Sequence, residues 1–157
     1  ELVNLVDVPV IASGDVSTYA DALGLIERTG CAAVMVGRAA QGNPWALGQM
    51  LDPDRPPPLP AEVLAELVYF IRETSRELGE QRAAGFLKKF YGWYLTRGRF
   101  PRSVKQELVQ LETLQEVEQR LLGLADGVED LLAVLEAERP PAPDQTLELP
   151  ISIYGGG

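Results

Sequence analysis

The sequence predicts an α/β segment followed by an all-α segment. Over residues 1–51, two apolar runs rich in β-branched residues alternate with helical patterns, as in a parallel sheet covered by helices. A proline-rich stretch over residues 52–59 is typical of an extended linker. Over residues 60–139, apolar residues recur at helical spacing, which indicates a small helical bundle with one buried face per helix.

Two buried strands are predicted in the first segment. They cover residues 8–12 and 32–36, and both runs are continuously apolar. Each is followed by glycine-containing residues that end it, Ser13-Gly14-Asp15 after the first strand and Gly37-Arg38 after the second.

A helix is predicted between these strands, from Ser17 or Thr18 to about Thr29, and Gly30 ends it. Two parallel strands do not form a stable sheet by themselves. We therefore expect residues 1–51 to be the end of a larger α/β fold whose beginning is missing. The first residue, Glu1, is not a methionine, which favours an internal position in a longer protein.

Four helices are predicted in the second segment. The first begins at Pro60 and ends near Leu78, and the second covers about Arg82 to Leu95. The predicted buried faces are Leu64, Leu67, Val68, Ile71 and Leu78 in the first helix; Ala83, Leu87, Phe90, Tyr91 and Tyr94 in the second; Leu114, Val117, Leu121 and Leu124 in the third; and Val128, Leu131, Leu132 and Leu135 in the fourth. Residues 140–157, rich in proline and glycine, are predicted to form a flexible tail.

The composition excludes several classes of site. The chain has 157 residues, one cysteine and no histidine. Histidine-based metal sites, Ser–His triads and an internal disulfide are excluded within it, and no metal site is predicted. A lone cysteine favours a reducing, cytoplasmic setting, and Cys31, in an apolar run, is predicted to be a core residue. No apolar run is long enough to span a membrane, so no membrane partner is expected.

Positive charge is concentrated in one window of an acidic chain. The net charge is −9, yet seven of the 14 basic residues lie within residues 81–105, which contain no Asp or Glu. Because salt screens charges beyond about 10 Å, a polyanion responds to this local charge more than to the total. The window therefore predicts a nucleic-acid contact, although a solvated helix face would give the same pattern.

The two strand ends form a second candidate site. Loops at the carboxyl ends of consecutive parallel strands lie on one edge, which in a barrel holds the active site and often a phosphate group. Glycine permits close approach of the backbone to a phosphate, and Arg38 adds a charged donor. From the pattern alone, a phosphate-bearing ligand and plain turns remain equally good interpretations.

Two stretches of the first segment resemble a known family. Residues 8–16, Val-Pro-Val-Ile-Ala-Ser-Gly-Asp-Val, and residues 29–45, which include Gly-Arg-Ala-Ala-Gln-Gly-Asn-Pro-Trp, are similar to the end of the barrel in bacterial tRNA-dihydrouridine synthases, in particular the B-type branch. Residues 86–95, Phe-Leu-Lys-Lys-Phe-Tyr-Gly-Trp-Tyr-Leu, resemble the basic and aromatic helix of that family. The resemblance covers roughly residues 5–125.

The resemblance implies that residues 1–51 are the C-terminal end of a (β/α)8 FMN-binding barrel. It also implies an FMN enzyme that reduces uridine in tRNA to 5,6-dihydrouridine, with NADPH as the reductant. A hydride reaches C6 of the uridine and a cysteine protonates C5. The implied ligands of the FMN phosphate are Ser13, Gly14, Asp15, Gly37 and Arg38, with Ser13 where the family usually has Asn. With the basic window, the resemblance implies that Lys88, Lys89, Arg97, Arg99 and Arg102 contact tRNA.

The catalytic cysteine of the family lies in an earlier barrel loop, and Cys31, at the start of a strand, does not correspond to it. We therefore expect no catalytic residue in this chain, no activity of the chain alone, and the N-terminal part of the barrel as its partner. Two other functions fit the residues. One is an FMN-dependent small-molecule oxidoreductase of the dihydroorotate dehydrogenase type, which does not need the basic helical segment. The other is a non-catalytic RNA-binding fragment.

Overall fold

A computed structural model describes residues 2–139, so the predicted flexible tail, residues 140–157, lies outside the described residues. The described part contains a two-stranded sheet and seven α-helices. In chain order they are β1 (Ile11–Ser13), α1 (Tyr19–Thr29), β2 (Ala33–Met35), α2 (Ala46–Leu51), α3 (Pro60–Leu78), α4 (Glu80–Arg97), α5 (Arg102–Leu108), α6 (Leu114–Leu122) and α7 (Val128–Ala137). Short 3-10 helices cover Leu2–Asn4 and Arg38–Ala40.

The two strands are parallel, as predicted, with Ile11 opposite Ala33 and Ser13 opposite Met35. Both are shorter than the apolar runs that predicted them. The prediction that they are buried is wrong for the described chain, because Ile11 is 66% and Met35 54% exposed. Two strands with one connecting helix leave much of a sheet uncovered, and parallel strands are normally covered on both faces.

Helix α1 has the predicted bounds, and its ends explain them. The Thr18 side chain accepts a hydrogen bond from the Asp21 backbone N–H, at 3.1 Å, and the Asp21 carboxylate accepts one from the Thr18 backbone N–H, at 2.9 Å. This reciprocal cap satisfies free donors at the helix start. Hydrogen bonds from the Thr18 hydroxyl and from the Ser17 and Thr18 backbone N–H groups lower the pKa of the Asp21 carboxyl. Gly30 ends the helix in the left-handed region, with φ 68°.

Helix α3 forms the centre of the helical segment. It contacts α4, α6 and α7, and its buried residues repeat at helical spacing. Four of the predicted face residues, Leu64, Leu67, Val68 and Ile71, have no exposed surface. The prediction that Leu78 is buried is wrong. Its side chain is 37% exposed, because it is the last residue of α3 and the chain turns away at Gly79.

The remaining helices differ from the prediction in number. Helices α4, α6 and α7 correspond to predicted helices, whereas α5 was not predicted and lies between α4 and α6. Its seven residues carry only two buried apolar side chains, Val104 and Leu108, which is too short a pattern to signal a helix. Tyr91 and Tyr94 are buried as predicted, and Phe90 is only half-buried.

An ion-pair network joins α3 to α6 and α7. The Arg72 guanidinium lies 3.0 Å from the Glu118 carboxylate of α6 and 2.9 Å from the Glu136 carboxylate of α7. All three side chains are about two-thirds or more buried. A planar guanidinium offers donors in two directions, so one residue joins three helices.

The turn at Gly42 brings the first segment against α4. Gly42 is buried and has φ 59°, a conformation that favours glycine. A Cβ added there would lie 2.5 Å from the Trp93 Cβ and 3.1 Å from the Tyr94 backbone nitrogen. The Gly42 carbonyl also accepts a hydrogen bond from Arg97 Nε, at 3.3 Å. The next apolar residue, Trp45, packs against the helical core.

We predict that Gly42→Ala lowers the free energy of unfolding by about 1–3 kcal/mol, because the new Cβ meets backbone and the positive φ disfavours alanine. Gly85→Ala is the matched control. A Cβ at Gly85, inside α4, meets no atom within 4 Å, so alanine should raise stability by about 0.5–1 kcal/mol. Urea titration of both variants measures the difference, and equal stability of the two would contradict the packing of the Gly42 turn.

We also predict a pH-dependent effect at Glu66. Burial raises the pKa of its carboxyl, so the folded state binds the proton more tightly than the unfolded state. Stability is then lost as pH rises from the ordinary value of 4.5 through the raised pKa. Glu66→Gln removes this loss, so the variant should be more stable than wild type at pH 7 and lose that advantage below pH 4.5. Thermal unfolding at several pH values tests it, and a difference independent of pH would refute it.

Candidate cofactor edge and nucleic-acid interface

The predicted cofactor residues lie together at one edge of the sheet. Ser13 ends β1, and Gly14 and Asp15 follow it, while Gly37 and Arg38 follow β2. The parallel register brings both strand ends to the same side. We call these five residues the rim.

An ion pair joins the two halves of the rim. Arg38 Nη2 contacts Asp15 Oδ1, and both side chains are 80% exposed. The guanidinium therefore retains free donors toward solvent, and its carboxylate partner fixes where they lie. In water such an exposed pair contributes little to stability.

The backbone at Gly37 is open. A Cβ added at this residue would meet no heavy atom within 4 Å. Gly37 precedes the short 3-10 helix that Arg38 begins, and its carbonyl accepts a hydrogen bond from the Ala40 backbone N–H, at 3.0 Å. The space beside the rim is thus free for a group that approaches the main chain closely.

Cys31 lies away from the rim, at the start of β2. It is 4% exposed, which confirms the prediction that it is a core residue. Its backbone N–H donates to Thr29 Oγ1, at 3.3 Å. A buried thiol at the opposite end of the strand from Arg38 cannot reach a ligand of the rim.

The predicted RNA-binding lysines lie on the exposed side of α4. Lys88 Nζ donates to the Val109 carbonyl, at 3.0 Å, which holds it against the chain after α5. Lys89 Nζ lies 4.2 Å from the centre of the Phe86 ring and 5.0 Å from that of Phe90. Cation–π contacts of this kind fix an ammonium group and leave its charge in place.

Arg97 differs from the other predicted RNA-binding residues. It is partly buried, its Nε is bonded to the Gly42 carbonyl, and desolvation lowers the pKa of its guanidinium. The group stays charged at neutral pH. Part of its donor set therefore serves the contact between the two segments.

Arg99 and Arg102 lie in a cleft between α4 and α5 that we call the basic cleft. Its volume is about 540 Å³, and Lys89 and Lys105 complete its charged lining. No acidic residue of the described chain lines it. Lys105 lies across Gly92, where an added Cβ would be 2.7 Å from its Nζ.

Two residues of this surface were not among the predicted contacts. Lys105 was in the acid-free window, but only the fold of α5 directs it to the cleft. Trp93 is 40% exposed and lies beside the arginines. At about 100° per residue, position 93 falls outside the buried stripe of Leu87, Tyr91 and Tyr94. This helical spacing could have predicted that Trp93 is exposed.

The described residues contain neither a metal-binding cluster nor a membrane-spanning helix. No group of three or more Cys, Asp and Glu side chains there could hold a metal ion. Within residues 2–139, no helix combines the length and the apolar character needed to cross a bilayer.

Comparisons with known proteins identify relatives of most of the described chain. The family model described as Dihydrouridine synthase (Dus) matches residues 1–129. tRNA-dihydrouridine synthase B of Klebsiella pneumoniae is 39% identical over 95 residues, which is 57% of this chain and 30% of that protein. The enzyme of the same name from Proteus vulgaris is 34% identical over 122 residues, 70% of this chain and 38% of that protein.

A third relative, tRNA-dihydrouridine synthase B of Escherichia coli K12, is 39% identical over 95 residues. The chain spans about 30–38% of the length of these curated relatives. The family match covers both the strand ends and the helical segment, as the resemblance of residues 8–16, 29–45 and 86–95 predicted. The chain therefore belongs to the dihydrouridine synthase family, and its relatives are bacterial synthases of the B type.

Proposed function

We propose that the protein that carries this chain is a flavin-dependent tRNA-dihydrouridine synthase. In this proposal the chain contributes the phosphate edge of the FMN site and the helices that bind tRNA. The names of the relatives give the reaction, and β1 and β2 are the last two strands of the (β/α)8 barrel. The remaining strands belong to the N-terminal part of the same protein.

The rim offers the kinds of hydrogen-bond donor that an FMN phosphate requires. Glycine-containing turns at two adjacent strand ends offer main-chain donors, and Arg38 offers a guanidinium held by Asp15. The open space at Gly37 supports close approach of an anion to the backbone. Ser13 supplies a hydroxyl donor where the family usually has an amide.

The rim residues Ser13, Gly14, Asp15, Gly37 and Arg38 would hold the phosphate of FMN, and the flavin, once reduced by NADPH, would supply a hydride for C6 of uridine. A proton added at C5 completes 5,6-dihydrouridine. Cys31 is buried and distant from the rim, so we assign the proton to the cysteine of the earlier barrel loop that the family resemblance implies. The residues of this chain then bind and orient, and none of them takes part in the proton transfer.

The contact between the Gly42 turn and α4 carries the proposal. The stretch that begins at Arg38 in the rim reaches α4 within five residues, and there Gly42 packs directly on Trp93. The cofactor edge and the basic surface are thus joined by a close backbone contact. A small-molecule oxidoreductase does not need such an attachment, whereas an enzyme that acts on RNA does.

We predict that Gly37→Val in the full-length protein abolishes FMN retention. A Cβ added at Gly37 meets no heavy atom of the described chain within 4 Å, so folding should survive while the phosphate is displaced. The flavin absorbance per protein of the purified variant measures retention, and its melting temperature monitors folding. Arg38→Lys, which keeps the charge but not the planar fork, should retain FMN more weakly than wild type. Full flavin occupancy in Gly37→Val contradicts the assignment of the rim.

We predict that Lys88→Ala with Lys89→Ala weakens tRNA binding without loss of FMN. Each phosphate contact removed should reduce the log–log salt slope by about one unit. The matched control is Arg28→Ala with Arg55→Ala, which removes the same charge from exposed residues outside the basic window. Binding is measured at several salt concentrations. The lysine hypothesis fails if both double variants change the slope equally.

A further inference from the structure

A second cleft lies on the other side of Trp93 from the basic cleft, and we call it the tryptophan cleft. Its volume is about 550 Å³. Pro57 and Pro58 of the linker form one wall, and Trp93 and the end of α4 form the other. Gln41, from the turn that follows the rim, lies at its border. The cleft is therefore built from the first segment, the linker and α4 together.

The lining of the tryptophan cleft suits a planar, polar, uncharged group. It combines an indole, proline rings, the Gln41 amide and the guanidinium groups of Arg97 and Arg99, and no acidic residue of the described chain borders it. Trp93 is 40% exposed, and its ring meets that of Phe90 at 85° with centres 5.1 Å apart, which holds it in one orientation. Aromatic platforms between cations are typical of sites that stack nucleic-acid bases.

The two clefts share a ridge. Trp93, Thr96 and Arg99 line both of them. Lysines and arginines dominate the basic cleft, whereas flat apolar surfaces dominate the tryptophan cleft. If a nucleotide lay across the ridge, its phosphate would contact the basic cleft and its base would contact the aromatic ring of Trp93.

Arg99 has a backbone conformation that costs stability. Its φ is 58°, the one positive value of a non-glycine residue in the described chain. It follows the end of α4, where the Phe100 N–H bonds back to the Leu95 carbonyl at 2.9 Å, and glycine is the usual residue at this position. An arginine at a position that favours glycine points to a role for its side chain.

We propose that this ridge binds an unpaired nucleotide of the RNA. Its base stacks on Trp93 in the tryptophan cleft, and its phosphate is held in the basic cleft by Arg99 and its neighbours. This inference rests on the proposed function, because it takes RNA as the partner. It adds that the helical segment recognises a nucleotide outside a base-paired stem.

The test compares single-stranded and duplex RNA on the full-length protein. The probes are tRNA, a short single-stranded oligonucleotide and a blunt duplex. Trp93→Ala should weaken binding of the single strand by about tenfold or more, the loss expected for one stacked base, and binding of the duplex by less than about twofold. Trp93→Phe should restore most of the affinity. The salt slope should stay unchanged, since no charge is removed.

Trp93→Ala preserves the contact with Gly42, which involves the Cβ and backbone of Trp93. Arg99→Gly is an independent variant. It should melt at the same temperature as wild type or higher, because glycine suits the positive φ, and still lose about tenfold in affinity for the single strand.

The outcomes separate the two proposals. Equal losses for single strand and duplex, or none in Trp93→Ala and Arg99→Gly, would overturn the nucleotide site. If Lys88→Ala with Lys89→Ala still weakened tRNA binding in that case, the proposed function would stand. A wild-type protein that binds none of the three RNAs would refute both.

Discussion

The burial of α3 is the constraint on which the helical segment depends. Leu64, Leu67 and Ile71 are fully buried, and each such side chain contributes about 1.5–3 kcal/mol relative to exposure. Helices α4, α6 and α7 all pack against α3, so its apolar stripe fixes their positions. The Arg72 pairs with Glu118 and Glu136 join the outer helices without adding an unpaired buried charge. The lysines and arginines of α4 are thereby presented on a rigid support, as a binding surface requires.

The Gly42 turn attaches the first segment to the helical segment. A left-handed glycine without a Cβ lets the turn touch the α4 backbone, and Arg97 reinforces the contact through the Gly42 carbonyl. One basic side chain is thus used for structure inside the surface that we propose for tRNA binding. The arrangement also explains how a chain with a net charge of −9 can meet a polyanion. Seven of its 14 basic residues lie within residues 81–105, which contain no acid, and a polyanion responds to that local charge more than to the total.

Much of the fold could be predicted because it rests on local signals. Pro60 at a helix start, Gly30 at a helix end and the period of the α3 stripe act within a few residues, so the bounds of α1 and α3 were predicted closely. The rim could be predicted too, since parallel strands bring their ends to one edge by topology alone. Helix α5 could not, because seven residues with two buried side chains give no clear period.

The sequence by itself determined which chemistry the chain carries: the glycine turns and Arg38 at the strand ends, and an acid-free run of basic and aromatic residues. Only the tertiary structure decided which of those groups make structural contacts and which line a cleft. Arg97 donates a hydrogen bond to the Gly42 carbonyl, Lys105 lines the basic cleft, and Trp93 lies between the two clefts. The physical reason is that Arg97 and Gly42, like Trp93 and Pro57, lie far apart in the chain, and the geometry of such contacts depends on packing that no local pattern contains.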